Sequence, residues 1–275
     1  MATLSAALEF ASATDPGRVR SHNEDSIGTE PELGLAVLAD GMGGYNAGEV
    51  ASGIAVAVVS SEIKRSQGAH PLHRIDPTTG ETEAERLTRQ HSLKANTSIF
   101  EAARSQPQYA GMGTTLVVAL FFDNRICVAH VGDSRLYRLR GDSFEQITRD
   151  HSLLQEQIDS GMITKEAAKL SQNKNLVTRA LGIDAEVDAE VHVYETQPGD
   201  VYLLCSDGLS DMVEDEDIHL TLTSLKENLQ LSAEQLVQQA NDNGGRDNVS
   251  VILVRVKDDY AAPKGWFTRL FSWFK

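Results

Sequence analysis

The chain has 275 residues and a formal net charge of −15, with 41% hydrophobic and 24% charged residues. These values are typical of one globular domain with a buried core, and they exclude a small protein held together by disulfides. The excess of acidic residues argues against a nucleic-acid partner, because nonspecific binding to nucleic acid needs clustered Lys and Arg against phosphates.

Neither the cysteines nor the hydropathy pattern indicates export. Cys127 and Cys205 lie in apolar runs without the spacing of a metal site, so both are predicted to be buried free thiols. The N-terminus lacks a basic, apolar secretion signal, and no window reaches the roughly 18 apolar residues of a membrane-spanning helix. We therefore expect a cytoplasmic protein.

The N-terminal part of the chain is predicted to contain one strand and two long helices. The apolar run Leu33–Ala39 is typical of a buried strand, and the Ala- and Val-rich segment Ala47–Arg65 predicts a buried helix. Residues 66–82 contain glycines and prolines and are predicted to form a surface loop. A second long helical pattern covers Glu83–Arg104.

Short strands dominate the middle of the chain. The runs Thr114–Phe122, Arg125–Val131 and Arg135–Arg140 are separated by two-residue breaks, Asp123-Asn124 and Gly132-Asp133. Breaks of this kind predict an antiparallel meander.

The C-terminal part mixes strands and helices without strict alternation. Residues 152–185 are polar and helix-prone, and the segment 197–200 is a turn sequence between two strands. The other predicted elements are strands over 187–195, 201–205 and 249–257 and helices over 215–229 and 232–243. This order predicts an α+β fold built on antiparallel sheet.

Aspartates stand at the edges of four predicted strands, and they are Asp40, Asp133, Asp207 and Asp247. A carboxylate beside a buried strand is costly unless a partner compensates its charge. Oxygen ligands of this type suit Mg²⁺ or Mn²⁺ rather than zinc. Taken singly, an Asp-Gly after a strand is usually a turn, but four such positions favour a metal cluster if the sheet brings the strand ends together.

A second polar cluster near the N-terminus has two interpretations. Arg20, Glu24 and Asp25 could form a solvated loop, which is the usual state of such charges. Alternatively, Arg20 binds a phosphate through two hydrogen bonds while Glu24 and Asp25 face metal-bound water. Position in the sequence does not decide between them.

The ordered motifs of the chain resemble those of the PPM family, the PP2C-type metal-dependent protein phosphatases, in its compact bacterial form. The resemblance covers roughly residues 8–256, and a whole series of motifs in order is much more specific than a lone one. The matching motifs are Arg20-x-x-Asn23-Glu24-Asp25, Asp40-Gly41-Met42-Gly43-Gly44, Gly113-Thr114-Thr115, Val131-Gly132-Asp133-Ser134-Arg135, Thr148-x-Asp150-His151-Ser152, Leu176-Val177-Thr178-Arg179-Ala180-Leu181-Gly182, Ser206-Asp207-Gly208 and Asp247-Asn248.

The resemblance implies a sandwich of two antiparallel sheets flanked by helix pairs, with metal ions at one end. It implies a catalytic domain over residues 1–257, with a flap at about 152–185. It also implies two Mg²⁺ or Mn²⁺ ions and a weaker third. The implied metal-site residues are Asp40 as the bridging ligand, the Gly41 carbonyl, Asp207 and Asp247, Glu24 through water, Asp25 as a support and Asp133 at the third ion.

The implied reaction is hydrolysis of phosphoserine and phosphothreonine in proteins by water activated between two ions, without a covalent intermediate. Arg20 would hold the substrate phosphate, and Asp40 would be central to catalysis. Many eukaryotic members have a His where Met42 stands, and that His is thought to protonate the leaving group. The general acid is therefore unassigned here. His151 is a candidate, although a structural role is the simpler interpretation for it, as for His22 and His130.

The C-terminal tail, residues 258–275, differs from the rest of the chain. The segment Ala261–Lys275 has three basic residues, no acidic residue and both tryptophans. A basic, aromatic amphipathic segment predicts contact with a membrane surface or a partner through residues 262–275, and packing against the domain is the alternative. Contact with a membrane surface would place the protein at the inner face of the membrane.

Three functions are compatible with these features. The leading interpretation is a phosphatase acting on phosphoproteins and opposing a Ser/Thr kinase. A catalytically silent phosphoprotein sensor is disfavoured because each acid that the chemistry needs is present. A regulatory phosphatase acting on a partner-switching protein would usually carry a sensor domain, and none is visible in the sequence.

Overall fold

The computed structural model describes residues 3–44, 47–66, 68–164, 167–168 and 176–262. The strands are β1 Leu8–Asp15, β2 Asp25–Glu30, β3 Leu35–Met42, β4 Gly113–Thr114, β5 Leu116–Phe122, β6 Arg125–Val131, β7 Arg135–Arg140, β8 Ser143–Gln146, β9 Glu190–Glu195, β10 Val201–Cys205 and β11 Val249–Val256. The α-helices are α1 Leu4–Ala7, α2 Ala47–Ser66, α3 Glu83–Ser105, α4 Leu153–Asp159, α5 Asp207–Ser210, α6 Asp215–Ser224 and α7 Leu229–Asp242.

The strands form two antiparallel sheets that pack face to face. The first sheet has the order β1-β11-β10-β7-β8, and the second has the order β2-β3-β5-β6-β9, with β4 paired to the end of β3. Helices α2 and α3 cover the outer face of the second sheet. Helices α6 and α7 cover the outer face of the first. The predicted α+β sandwich flanked by helix pairs is confirmed.

Continuous apolar strands follow from this layering, because both faces of the central strands are buried. In β3, Leu35 and Val37 pack toward α2 and α3, whereas Ala36 and Leu38 pack toward the first sheet. Successive side chains of a strand point to opposite faces, so a strand between two apolar layers needs apolar residues at every position. The run at Leu33–Ala39 therefore marks the centre of the sandwich.

The predicted meander is correct at its first break and wrong at its second. Asp123 and Asn124 have positive φ values of 47° and 54° and close a two-residue hairpin between β5 and β6. At Gly132-Asp133, however, the chain crosses from the second sheet to the first, and β7 pairs with β10 and β8 instead of β6. The φ of +102° at Gly132 allows this crossing, and the same turn residues are used by hairpins.

Several other elements differ from the prediction. Strands β1, β2 and β8 were not predicted, and β9 joins the second sheet whereas β10 joins the first. Predicted helix 215–229 ends at Ser224. In the flap region, the structure describes helix α4 and residues 160–164, 167–168 and 176–185, and the remainder lies outside the described residues.

The segment after β11 is bound at the end of the sandwich that carries the β5–β6 hairpin. The Tyr260 side chain is buried, with its Oη 2.6 Å from Thr196 Oγ1, and its backbone N–H donates to Asn124 Oδ1 at 2.7 Å. The N–H of Ala262 donates to Asp123 Oδ1. Residues 263–275 lie outside the described residues, so the predicted amphipathic tail is not tested.

The prediction for the two cysteines is confirmed. Cys127 and Cys205 are buried free thiols, and burial raises the pKa of each to about 12. Across the described residues, no helix has the length and apolar character needed to span a bilayer.

A buried ion pair joins the two sheets near the same end as Tyr260. Arg140 at the end of β7 donates Nε and Nη2 to the two carboxylate oxygens of Asp200 at 2.8 and 2.6 Å, and Nη2 also donates to the Glu195 carbonyl. The N–H of Gln197 and the hydroxyl of Tyr202 complete the shell of Asp200, which is 1% exposed. One carboxylate thus fixes β7, β10 and the turn that links the sheets.

We predict that Asp200→Ala lowers the free energy of unfolding by about 2–4 kcal/mol, because it leaves Arg140 and two other donors without their shared acceptor. Urea denaturation followed by circular dichroism measures the change. Glu30→Ala is the control, since it removes an exposed ion pair to Lys64 and should cost less than about 1 kcal/mol. Equal costs for both variants would contradict a special role of Asp200.

Candidate metal centre

Five aspartates from both sheets meet at the end of the sandwich opposite to Tyr260. Asp25 begins β2 and lies opposite Asp40 in the β2–β3 register. Asp133 lies in the connection between β6 and β7, Asp207 begins α5 directly after β10, and Asp247 precedes β11. Because β10 and β11 are antiparallel neighbours, the last two are brought to the same edge.

The two glycines next to these aspartates allow the strand ends to pack closely. A Cβ on Gly41 would lie 2.2 Å from the Gly48 carbonyl oxygen, and one on Gly208 would lie 1.9 Å from the Asn248 carbonyl oxygen. In the structure, they let two backbone segments approach each other, which brings the adjacent carboxylates together.

The carboxylates of the cluster raise one another's pKa values. Burial raises the pKa of Asp40 well above its usual value, and the negative charges of Asp25, Asp207, Asp133 and Asp247 raise it further. The pKa of Asp207 is also well above the usual range, through burial and then the charge of Asp133. Burial is the largest cause that raises the pKa values of Asp25 and Asp133 to about 6. The negative charge of the cluster therefore exceeds the positive charge that Arg20 and Arg135 supply beside it.

The chemistry of the donors fits hard divalent cations. Asp25 accepts a hydrogen bond from Ser206 at Oδ2, 2.8 Å away, whereas its Oδ1 is buried without a hydrogen-bond partner. The five aspartates offer carboxylate oxygens, which suit Mg²⁺ and Mn²⁺, whereas zinc prefers thiolate and imidazole ligands. A bound divalent ion would supply the charge that the buried carboxylates need.

Hydroxyl groups of Thr114 at the end of β4 and of Thr115 between β4 and β5 fix the backbone of Asp40. The Asp40 N–H donates to Thr115 Oγ1 at 2.9 Å, and Thr114 Oγ1 donates to the Asp40 carbonyl at 2.8 Å. Thr115 Oγ1 also lies 2.7 Å from Ser134 Oγ. The sequence contained these residues in its motifs but did not indicate this supporting role.

Asn248 is a second support that was not predicted. Its Oδ1 accepts from the Glu24 N–H at 2.8 Å, and its Nδ2 donates to the carbonyls of Pro16 and His22. It therefore ties the segment that carries Arg20, Glu24 and Asp25 to the start of β11. In the sequence, the position of Asn248 beside Asp247 in a motif was the one indication of a role.

The N-terminal polar cluster lies at the rim of the centre. Arg20 donates Nη2 to Asp247 Oδ2 at 2.6 Å, and about half of its side chain is exposed. The carboxylate of Glu24 hydrogen-bonds the backbone of Gly48 at the start of α2, and burial raises its pKa. Asp25 is a buried strand residue, so the solvated-loop interpretation is wrong for it.

A second group of metal-binding residue types lies beside the centre. The ligand atoms of His130, His151 and Glu190 all lie within 4.8 Å of one another, and the two imidazoles stack at 4.7 Å. His151 Nδ1 accepts from the Gly132 N–H at 3.1 Å, so the neutral ring carries its proton on Nε2, which lies 3.2 Å from Glu190 Oε1. His130 Nε2 similarly lies 2.8 Å from the Arg149 carbonyl and donates to it.

These hydrogen bonds hold both imidazole rings in place. Burial lowers the pKa values of His130 and His151, so neutral rings are favoured. In the neutral form, the Nε2 atoms are donors and cannot also bind a cation. Both ring nitrogens of His151 are engaged, which favours the structural interpretation over a general acid.

Comparison with known proteins supports one family. The protein phosphatase 2C family model matches residues 18–248. The serine/threonine phosphatase stp of Listeria innocua serovar 6a is 38% identical over 244 residues, which cover 88% of this chain and 93% of the relative.

Solved structures agree with this assignment. The serine/threonine phosphatase PstP/Ppp of Mycobacterium tuberculosis aligns with a TM-score of 0.82 at 37% identity, covering 91% of this chain and 99% of the other. The catalytic domain of PstP in complex with two manganese ions aligns with a TM-score of 0.79 at 38% identity and the same coverage. The chain belongs to the protein phosphatase 2C family.

Proposed function

We propose that this protein hydrolyses phosphoserine and phosphothreonine in proteins with two divalent cations, Mg²⁺ or Mn²⁺, bound at the acidic cluster. The observation that carries the proposal is the convergence of buried carboxylates that raise one another's pKa values. The named activity of relatives such as the Listeria phosphatase and the two manganese ions of the PstP structure support it.

The ligand roles are those that the family resemblance implies. Asp40 would bridge the two ions, and four other aspartates act on its carboxylate electrostatically. Asp207 and Asp247 would complete the ligand set of one ion, and the Gly41 carbonyl would be a ligand of the other. The supporting roles are Glu24 as a ligand through water, Asp25 as a support opposite Asp40 in the β2–β3 register, and Asp133 with Asp207 at a third, weaker ion.

The residues of the centre prepare the site for a dianionic phosphate. Bound divalent cations supply the positive charge that neutralises phosphate and acidifies the attacking water. The carboxylates hold that positive charge at the end of the sandwich, while Thr115 and Asn248 keep the strand ends from moving apart. Arg20 keeps Nη2 on Asp247 and can offer its other N–H groups to phosphate oxygens at the rim.

The biological setting is part of the same proposal. A phosphatase of this class would oppose a Ser/Thr kinase, and buried free cysteines are compatible with the reducing cytoplasm. The domain would span residues 1–257, with the flap at about 152–185 contacting the substrate.

We also propose that the basic, aromatic segment 262–275 binds an anionic membrane surface. Its composition supports this, with three basic residues and no acidic one. The contacts of Tyr260 and Ala262 support it as well, because they hold the residues before the tail at the end of the sandwich opposite the metal centre. A membrane-bound enzyme would then present its acidic cluster toward the cytoplasm.

Asp207→Asn should lower kcat/KM for a phosphothreonine peptide with Mn²⁺ by more than about 100-fold, because it removes a charged ligand. Phosphate release measures the effect, and loss of the thermal stabilisation by Mn²⁺ would report the lost ligand independently of activity. Asp142→Asn, an exposed acid in the β7–β8 turn, is the control and should behave like the wild type. Full turnover in the Asp207 variant would disprove the ligand assignment.

Asp133→Asn should stabilise the protein in EDTA at pH 7 by about 1–3 kcal/mol, since the carboxyl pKa is about 6 in the fold and about 3.9 when unfolded. A raised carboxyl pKa means that the native state binds more protons between these values. The wild type should therefore lose stability as the pH rises from about 4 to about 6, and the variant should lose less.

Urea denaturation in EDTA at pH 4.5 and pH 7 measures this difference, again with Asp142→Asn as the control. In Mn²⁺ the difference in unfolding free energy between the variant and the wild type should shrink or change sign, because the ion compensates the charge of Asp133 in the wild type. A variant that is less stable than the wild type in EDTA at both pH values would show that Asp133 is not under repulsion.

Deletion of residues 263–275 should abolish co-sedimentation with vesicles that contain anionic lipid and leave hydrolysis of para-nitrophenyl phosphate unchanged, because Ala262, the last described residue before the deleted segment, is bound to Asp123 at the end opposite the centre. Triple replacement of Lys264, Arg269 and Lys275 by Glu should have the same effect on binding. If the full chain stays in the supernatant with such vesicles, the membrane proposal is wrong.

A further inference from the structure

Two exposed arginines, Arg18 and Arg246, lie beside the ion pair of Arg20 and Asp247 at the rim of the metal centre. Arg18 precedes Arg20 by two residues in the connection between β1 and β2, and Arg246 directly precedes Asp247. Consecutive Cα atoms are about 3.8 Å apart, so the Cα atom of each arginine lies within about 8 Å of that of one member of the ion pair. We call Arg18 and Arg246 the arginine pair.

Two glycines bring the segments of the arginine pair together. The N–H of Arg18 donates to the Gly245 carbonyl at 2.7 Å, and a Cβ on Gly245 would lie 2.8 Å from Arg18 Cγ. A Cβ on Gly17 would lie 2.3 Å from the Asp247 carbonyl oxygen. The φ values are +84° at Gly17 and +49° at Gly245, in the region that favours glycine. The fold therefore packs Arg18 against the residue that precedes Arg246.

The charge of the arginine pair is available for a ligand. Neither Arg18 nor Arg246 forms an ion pair or a side-chain hydrogen bond with another residue that the structure describes. Asp15 and Asp242 lie in the neighbouring segments, but each accepts hydrogen bonds from other residues. Two exposed guanidinium groups thus lie close together in a chain whose net charge is −15.

The chemistry of this surface fits an oxyanion on a peptide. Guanidinium groups donate parallel N–H bonds to carboxylates and phosphates. Val19, between Arg18 and Arg20, is 69% exposed and offers an apolar contact to the peptide that carries the anion. Arg20 already donates to Asp247 and, in the proposed function, also holds the phosphate that is hydrolysed. The arginine pair is therefore left for a second negative group.

We propose that the arginine pair binds a second oxyanion of the phosphoprotein substrate, a carboxylate or another phosphate, a few residues from the phosphate that is hydrolysed. An extended peptide advances roughly 3.3–3.6 Å per residue, so a side chain about two to four positions away would reach the pair. This rests on the proposed function and deepens it, because it gives the enzyme a preference for substrates with clustered negative charge. The acidic remainder of the surface would repel such substrates, so the pair would also orient them.

A peptide scan tests the proposal. A phosphothreonine peptide that is otherwise neutral carries a single glutamate at each position from −5 to +5, and a matched series carries glutamine, which has a similar shape without the charge. With Mn²⁺ at low ionic strength, glutamate at one or two neighbouring positions should raise kcat/KM about fivefold over glutamine. The metal ions would attract glutamate at every nearby position. A gain spread evenly over the scan, or no gain at any position, would therefore overturn the proposal.

A third series separates the two sources of the oxyanion. At the preferred positions it carries the phosphonate analogue of phosphoserine, which has a carbon in place of the ester oxygen and cannot be hydrolysed. A larger gain with the phosphonate than with glutamate would identify a second phosphate as the ligand. A gain with glutamate alone would identify a carboxylate.

Two double variants locate the effect. Arg18→Gln with Arg246→Gln should remove the preference for glutamate over glutamine. Lys226→Gln with Lys257→Gln makes the same charge change at exposed residues near the end of β11 that is opposite to Asp247, and it should keep the preference. A preference that survives in the arginine variant, or disappears equally in both variants, would contradict a role for the arginine pair.

The measured quantity is the ratio of kcat/KM for the glutamate peptide to kcat/KM for the glutamine peptide, so a general loss of activity does not imitate the effect. The single variants Arg18→Gln and Arg246→Gln should each lower this ratio in part. They keep the test decisive if the double variant does not fold, and an unchanged ratio in both would overturn the proposal.

The same assays separate this proposal from the proposed function. If the wild type with Mn²⁺ releases phosphate from no phosphopeptide and not from para-nitrophenyl phosphate, the phosphatase proposal fails and this one fails with it. If it cleaves all peptides at equal rates, the phosphatase proposal stands and the second anion site is rejected.

Discussion

Buried negative charge at one end of the sandwich is the constraint on which the rest of the structure depends. Asp25, Asp40, Asp133 and Asp207 all have raised pKa values, because burial removes water and each faces other carboxylates. Like charges about 4 Å apart repel by roughly 4 kcal/mol at an intermediate dielectric. A loose backbone would relieve that repulsion by moving apart. The site therefore needs a scaffold that holds its strand ends in place until cations compensate the charge.

The scaffold meets this need by separating its tasks in space. Hydrophobic layers on both faces of the second sheet make β3 and β5 rigid along their length. Hydroxyl and amide side chains such as Thr115 and Asn248 then fix the last residues before the cluster. The opposite end carries compensated polar groups, with Arg140 bound to Asp200 and Tyr260 to Thr196. Stabilising contacts at that end offset the repulsion that function requires at the other.

The sequence predicted the central strands better than the edges. Bounds for Arg125–Val131, Arg135–Arg140 and Val201–Cys205 match the structure. In the first and the last of these strands, burial on both faces produces a nearly continuous apolar run. Strand β1, with the sequence LEFASATD, has few large apolar residues and is stabilised by its pairing with β11, which no local pattern reveals. The sheet to which β7 belongs was also hidden, because Gly-Asp suits a hairpin and a crossing equally. The aspartates could be predicted because their motifs match those of the family in the same order. The support by Thr115 is visible only in the three-dimensional structure.

The contrast between the two polar clusters shows why proximity of ligand residues alone does not define a metal site. His130, His151 and Glu190 have closely spaced ligand atoms, but their protons are committed, since His151 accepts at Nδ1 and both Nε2 atoms donate. A cation there would have to displace a proton and break existing hydrogen bonds. At the acidic cluster, the raised pKa values mean that the ionised carboxylates are destabilised, so a divalent ion would remove the cost of ionising them. Metal binding would thus relieve repulsion at the aspartate cluster, whereas at the histidine cluster it would break hydrogen bonds that already stabilise the fold.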